Sequence, residues 1–354
     1  MSITLPALVD DPALYLFAFD FDQDVAQVLA MDRSALHRSI FLDGRIERSK
    51  AQIHRISLPV MLDAYKGPPL SERPVGMIFH VAQCGSTLLA RALDHPGKSL
   101  SLREPYALRQ LGVLAGGDAH ETGKLDDVRY GQMLHMALSM YGKRWPFETA
   151  VVVKANVPVN CIAEQVMGLN PQAPAVTLYF GLEDYVAAVM RTEGHENWVE
   201  TVYAELRLDR HPLVSDAVPG STAERTAALW FMQMKAFEAV LDGFANTRSL
   251  DAADFLDNPQ PAIAAAAELF GLALSEAEMR DMVAGDLFQT YSKNPTLDYD
   301  PEVRLAREAQ SKKRLAGAID AAFAWAEAAK ARHGLVESFA KPLSGEARPL
   351  LRRG

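Results

Sequence analysis

Residues 75–93 read VGMIFHVAQCGSTLLARAL. A β-type apolar run ends in AQCGST, and a helical pattern follows at once. That is the layout of a loop that grips a phosphate. Backbone N–H groups at a helix start have no partner within the helix, and the helix dipole adds to their pull on an anion. Gly85 has no Cβ and lets the backbone approach the anion closely, while Ser86 and Thr87 supply hydroxyl donors. The Walker pattern GxxxxGK[ST] requires glycine at 80 and lysine at 86. The chain carries His80 and Ser86, so that pattern fails at two positions.

Working outward, strand-like and helical stretches alternate. VGMIFHV, KSLSL, AVVVK, AVTLYF and TRSLDA read as strands. Helical stretches are predicted over 86–94, 105–115, 158–168, 184–191 and 222–245. AVVV and VTLY are continuously apolar, as strands buried on both faces must be. The pattern predicts an α/β fold with three α/β/α layers, a central, mostly parallel five-stranded sheet and extra helices. Residues 1–70 are expected to form a helical or mixed extension packed on a core domain of 71–340. Within the extension, DQDVAQVLAM and QIHRISLPVMLDAY have helix-like spacing, and KGPPLSERP (66–74) breaks the chain before the loop. After 258 the reading is helical, with 301–334 as one long run, and 341–354 is expected to be a loose tail.

The totals narrow the class. Hydrophobic residues make up 49% of the 354, enough for a sizeable core, and 23% are charged, which argues against disorder. A net charge of −9 disfavours nucleic acid as a partner. Cys84 and Cys161 are too few and too far apart for a paired metal site or a disulfide framework. The N-terminus lacks a signal-peptide pattern and no run of about 18 apolar residues is present, so a cytoplasmic protein without membrane attachment is expected.

Ligands of an open parallel sheet sit beyond the carboxyl ends of its strands, and the candidate residues cluster there. AQCGSTLLARAL resembles the 5′-phosphosulfate loop of sulfotransferases, which use 3′-phosphoadenosine 5′-phosphosulfate (PAPS) as donor on a P-loop kinase-like sheet. Further segments follow in the order of that family. LSLREP places Glu104 where related enzymes keep a general base, 21 residues after Gln83. VVVKANVP resembles the strand whose lysine contacts the bridging oxygen and the sulfonate, which maps to Lys154. AVTLYFGLEDYVAAVMR resembles the element that binds the 3′-phosphate, and TRSLDAADFLDNPQPAIAAAAELFGL a late strand and helix. The resemblance covers roughly 75–275 and implies Glu104 and Lys154 as catalytic residues. It places Gln83, Cys84, Gly85, Ser86 and Thr87 around the donor, with no metal. Asn156 is a further candidate for positioning. A small-molecule, glycan or peptide acceptor is implied, with no motif to identify it.

Other roles remain open for these residues. Glu104 could pair with Arg103 or cap a helix; as a partly desolvated carboxylate it is expected to have a raised pKa. Lys154 could reach solvent. His80 reads as a hydrogen-bonded core residue, His195 as part of a surface loop or else as lining the cleft, and Cys84 as a backbone contributor to the loop. The chain also departs from the family pattern. Gln83 replaces a basic residue, Phe180 the arginine for the 3′-phosphate, and Ala188 a serine. Losing charged hydrogen bonds costs about 1.5–3 kcal/mol each. Arg191, one helical turn beyond Ala188, Lys293, or the SKKR run at 311–314 would have to compensate. A kinase-like P-loop transferase with another phosphorylated ligand, or a non-catalytic nucleotide-binding relative, stand as alternatives.

Overall fold

An antiparallel sheet of β1 (Leu14–Asp20), β2 (Val25–Ala30) and β3 (Ile53–Ser57), in that order, opens the computed structural model, which describes residues 4–46, 52–64, 69–115, 126–291, 294–298 and 301–353. The helix-like spacing of 22–31 is overridden here. β1 is an almost wholly buried apolar strand, and its backbone needs a paired neighbour, which Val25–Ala30 supplies. In 52–64 only Leu58–Ala64 is helical, because Ile53–Ser57 pairs with β2.

The central sheet has five parallel strands: β4 (Val75–His80), β5 (Ser99–Arg103), β6 (Ala150–Lys154), β7 (Ala175–Tyr179) and β8 (Thr247–Asp251). All five lie where the sequence predicts them. Their order is β5-β6-β4-β7-β8, and every residue of β4 to β7 is buried, so both faces are covered. The predicted helices are also present, as Ser86–Ala92, Tyr106–Ala115, a 3₁₀ turn and α-helix over 157–168, Leu182–Val189 and Thr222–Gly243. From β4 the chain passes over β6 to reach β5, returns to β6, then crosses to β7 on the other side. The connections after β4 and β6 therefore diverge and leave a crevice at the carboxyl ends of the strands.

Two C-terminal expectations change. The long run 301–334 breaks at Leu315 into Pro301–Arg314 and Ala316–His333. The second helix packs on Thr222–Gly243, with Trp325 edge-on to Phe231 at 6.2 Å. A short antiparallel ribbon, Thr290–Tyr291 with Asn294–Asp298, interrupts the helical region. Residues 341–353 are not loose. Ser249 donates to Lys341 O at 3.0 Å and accepts from Leu343 N at 2.7 Å, Leu350 is fully buried, and Arg352 forks onto Asp251 at 2.6 and 3.1 Å. Unpaired backbone at the edge strand β8 gives the tail a docking rail.

A buried charge cluster ties the N-terminal extension to the sheet. Asp94, with a fully buried side chain, accepts from Arg33 at 2.6 Å and Arg103 at 2.9 Å and lies 2.9 Å from His37 Nδ1. Arg33 also pairs with Glu148. Arg103 donates to the carbonyls of Leu36, His37 and Ser39 at the end of the helix Arg33–Arg38. Burial opposes ionisation of Asp94, but His37, Arg103 and Arg33 together hold its carboxyl well below the usual range. Removing one partner of such a cluster strands the others, at a cost of about 3–5 kcal/mol. Asp94→Ala is expected to lose stability of roughly that size in urea denaturation; a loss under about 1 kcal/mol would contradict this account.

Candidate active site

Loop 81–85 joins β4 to the helix Ser86–Ala92, and its backbone is held in an unusual conformation. Gly85 has φ +81°, and a Cβ there would sit 3.0 Å from Leu256 Cδ2. Gln83, which has a side chain, also lies in the left-handed region with φ +64°. Thr87 is 1% exposed, and its hydroxyl has no hydrogen-bond partner among the described residues. A buried hydroxyl without a partner carries a desolvation cost that a ligand oxygen would relieve. The helix has only seven residues, so its dipole is small, and any pull on an anion falls more to the side chains gathered around the loop.

Glu104 and Lys154 meet in front of this loop. They follow one another across the sheet, since Arg103 pairs with Lys154 in the β5–β6 register and Glu104 N donates to Lys154 O at 2.8 Å. Lys154 is fully buried and donates to Glu104 Oε1; Asn156 donates to Oε2 at 3.0 Å, and Arg45 approaches the same oxygen at 3.3 Å. Arg103 is turned away into the Asp94 cluster, so the Glu104–Arg103 pairing does not form. Lys154 does not reach solvent, because the strand end opens into the cleft and Glu104 offers a charge there. Glu104 has φ +57°, a strained conformation of the kind that costs about 1–3 kcal/mol and collects at functional sites.

The expected rise in the Glu104 pKa is reversed. Burial raises it, but the charge and hydrogen bond of Lys154, with the charge of Arg45, outweigh burial and bring it down to about 2. His80 ties the strand ends together, with its ring nitrogens 2.8 Å from the carbonyls of Val81 and Ala155. Burial first and Lys154 second push His80 down to about 3, so the ring is neutral and acts as a core residue.

The N-terminal extension completes the wall. Leu42 N donates to Arg103 O at 2.7 Å and Tyr106 N to Leu42 O at 3.1 Å, which clamps the chain on both sides of Glu104. That delivers Phe41, Asp43 and Arg45 to the site, with the Arg45 guanidinium 3.5 Å from the Phe41 ring centroid and ion-paired to Asp43 at 2.5 Å. None of the three lies in a recognisable motif, and the contacts of Leu42 with Arg103 and Tyr106 bring them here.

One cavity of about 560 Å³ runs across the strand ends and is lined by Gln83, Cys84, Gly85, Ser86, Thr87, Glu104, Lys154, Asn156 and Arg191. The sequence candidates therefore come together, except Lys293, which lies outside the described residues. Cys84 turns its thiol inward to Val81 O at 2.9 Å. Of the two readings of His195 the cleft is the one found: it sits in the first turn of the helix Glu193–Glu205, lines the cavity, and lies 3.5 Å from Gln83 Nε2. Phe180 and Ala188 line the cavity without charge. The helix Leu182–Val189 stops short of Arg191, so Arg191 reaches the cavity from the turn beyond it, where Arg314 binds the carbonyls of Met190 and Arg191. Sequence reading also missed Asp184, Arg304 and Glu308, which line the same cavity.

No family model matches the chain, and no curated protein matches it. Solved structures similar to it include a sulfotransferase domain from the curacin biosynthetic pathway, 12% identical over 70% of this chain and 96% of that one, with a TM-score of 0.41. A sulfotransferase from Alicyclobacillus acidocaldarius is 15% identical over 72% of this chain and 94% of that one, with a TM-score of 0.36. Likeness at this level carries no argument about chemistry, which rests on the residues of this chain. Among the described residues, no helix is long and apolar enough to cross a membrane.

The depressed pKa of Glu104 has a sign that can be checked. Its ionised form stabilises the fold above the ordinary value of 4.5, and that contribution is lost as pH falls through about 2. Lys154→Ala removes the largest opposing charge, so the Glu104 carboxyl is expected to titrate clearly above 2 in that variant. Carboxyl carbon NMR shifts across a pH series would show this, and an unchanged midpoint would contradict the role given to Lys154.

Proposed function

We propose that this protein is a sulfotransferase-like enzyme. It moves a sulfonate group from a nucleoside phosphosulfate, the class to which PAPS belongs, onto a hydroxyl or amine of an acceptor. The observation that carries this reading is the contact between a fully buried lysine and a strained carboxylate, Lys154 and Glu104, facing an anion-type loop across one cavity.

The chemistry needs three provisions: an acceptor for a proton, a holder for charge on the leaving phosphate, and alignment of donor with acceptor. In the free protein Lys154 neutralises Glu104. A phosphosulfate in the loop brings two negative charges within reach of Lys154, against the single charge of Glu104. As Lys154 turns to the bridging oxygen, Glu104 loses the partner that depresses its pKa and becomes a better base. The acceptor then gives its proton to Glu104, its oxygen or nitrogen bonds to sulfur, and the bond from sulfur to the bridging oxygen breaks. The electron pair leaves with the phosphate, beside the Lys154 ammonium. Thr87 and the loop N–H groups hold the donor, and Asn156 holds Glu104 in place. Under this reading residues 1–70 form an extension that helps wall the site of a domain spanning 71–340.

Transfer of labelled sulfonate from PAPS and from adenosine 5′-phosphosulfate to a panel of hydroxyl and amine acceptors tests the proposal. Glu104→Gln is expected to abolish turnover and spare nucleotide affinity. Lys154→Ala should lower the rate by on the order of 10²–10³, as loss of oxyanion-type stabilisation does. No transfer from either donor, with Mg²⁺–ATP phosphoryl transfer instead, would overturn the reading.

A further inference from the structure

The loop that faces Lys154 and Glu104 brings no side-chain charge of its own. Residues 81–87 read VAQCGST, and Lys154 and Arg45, the cations beside Glu104, are both engaged with its carboxylate. A third wall of the cavity adds a polar group. The helix Glu193–Glu205 turns His195 and Trp198, three residues apart and so on one face, into the cavity. That helix is fixed along its length. The Thr192 hydroxyl accepts from His195 N at 3.3 Å, Glu200 accepts from Thr222 and Arg225 at 2.6 Å each, and Glu205 pairs with Arg109 at 2.5 Å. His195 Nδ1 is buried, and Nε2 is the ring nitrogen turned to the loop, 3.5 Å from Gln83 Nε2. Such a spacing is at the outer limit of a hydrogen bond between the two nitrogens. It suits two N–H donors aimed at one anionic group.

We infer that His195 binds the donor: with Gln83 it forms a pair of side-chain N–H donors that grips the phosphosulfate beside the loop. The inference rests on the sulfotransferase reading and adds a residue to its donor site. A phosphosulfate carries a negative charge on each side of its bridging oxygen, with non-bridging oxygens on both phosphorus and sulfur. The first turn of a seven-residue helix and the Thr87 hydroxyl leave some of those oxygens for other donors. An amide nitrogen donates and does not accept, so Gln83 Nε2 serves an anion and not a lone pair of its own kind. An oxyanion between the two nitrogens favours the ring form that carries its proton on Nε2, and both groups then donate to it. Hydrogen bonds of this charge-assisted kind are the stronger class. The backbone agrees. Gln83 holds φ +64°, and strained residues of this sort collect at ligand clamps.

Calorimetric titration of the full chain with PAPS, without an acceptor, tests this. His195→Ala is expected to weaken PAPS by about tenfold or more, the loss of one hydrogen bond to a charged group, with a wild-type melting profile. Adding Gln83→Lys to that variant sets an ammonium beside the loop and should recover most of the loss, which the repair of a purely structural histidine would not do. A wild-type PAPS affinity in His195→Ala, with a raised acceptor KM in its place, would assign His195 to the acceptor and overturn the inference; so would a loss that Gln83→Lys leaves unrecovered. Either result leaves the sulfotransferase reading standing, whereas no binding of PAPS by the wild-type chain would remove both. If His195→Ala does not fold, His195→Gln and His195→Glu decide. Glutamine keeps a neutral donor and should bind PAPS at least about tenfold more tightly than glutamate, which sets a negative charge against the ligand. Equal affinities in those two variants would overturn the inference.

Discussion

Five parallel strands buried on both faces can meet a ligand only at their carboxyl ends, and the rest of this molecule is arranged around that restriction. The faces are closed by helices, and one edge is taken by the C-terminal tail on β8. What remains is the crevice where the chain leaves β4 in one direction and β6 in the other. Loop 81–85, Glu104 and Lys154 are three consecutive strand ends in space, although they lie far apart in the chain.

A lysine in that crevice is held by a balance of opposing terms. Taking its ammonium out of water costs free energy, and a carboxylate in direct contact offsets that cost. Glu104 accepts a left-handed backbone to make that contact, which is a local cost the surrounding clamps sustain. An interaction of this kind is easily exchanged for a better one. Under the proposed function a ligand oxyanion competes with Glu104 for Lys154, which links ligand binding to the basicity of the carboxylate through one hydrogen bond.

The N-terminal extension is more than a cover. The Asp94 cluster fixes the helix Arg33–Arg38 to β5, and the backbone of Leu42 then fills the gap between Arg103 and Tyr106. Arg103 thereby serves the scaffold and Glu104 serves the cavity, although they are neighbours in sequence. The alternation of side chains along an extended strand sends one to each side, and the turn in the backbone at Glu104 aims its carboxylate at Lys154.

The sequence by itself determined the five central strands, their parallel character, the loop at 81–85 and the two residues that face it. These features are local: continuous apolar runs, a glycine before a helical pattern, and polar residues that end strands. It did not determine that 25–30 is a strand, that 341–353 is docked, or that Glu104 has a lowered pKa. Those outcomes come from partners remote in the chain: β1 for β2, Ser249 for the tail, and Lys154 for Glu104. The places of Asp184, Arg304 and Glu308 in the cavity wall were likewise invisible, because no motif singles these residues out. Only the crossing of their helices over the cavity turns their charges toward a ligand, since pairing energies depend on distance in space and not along the chain.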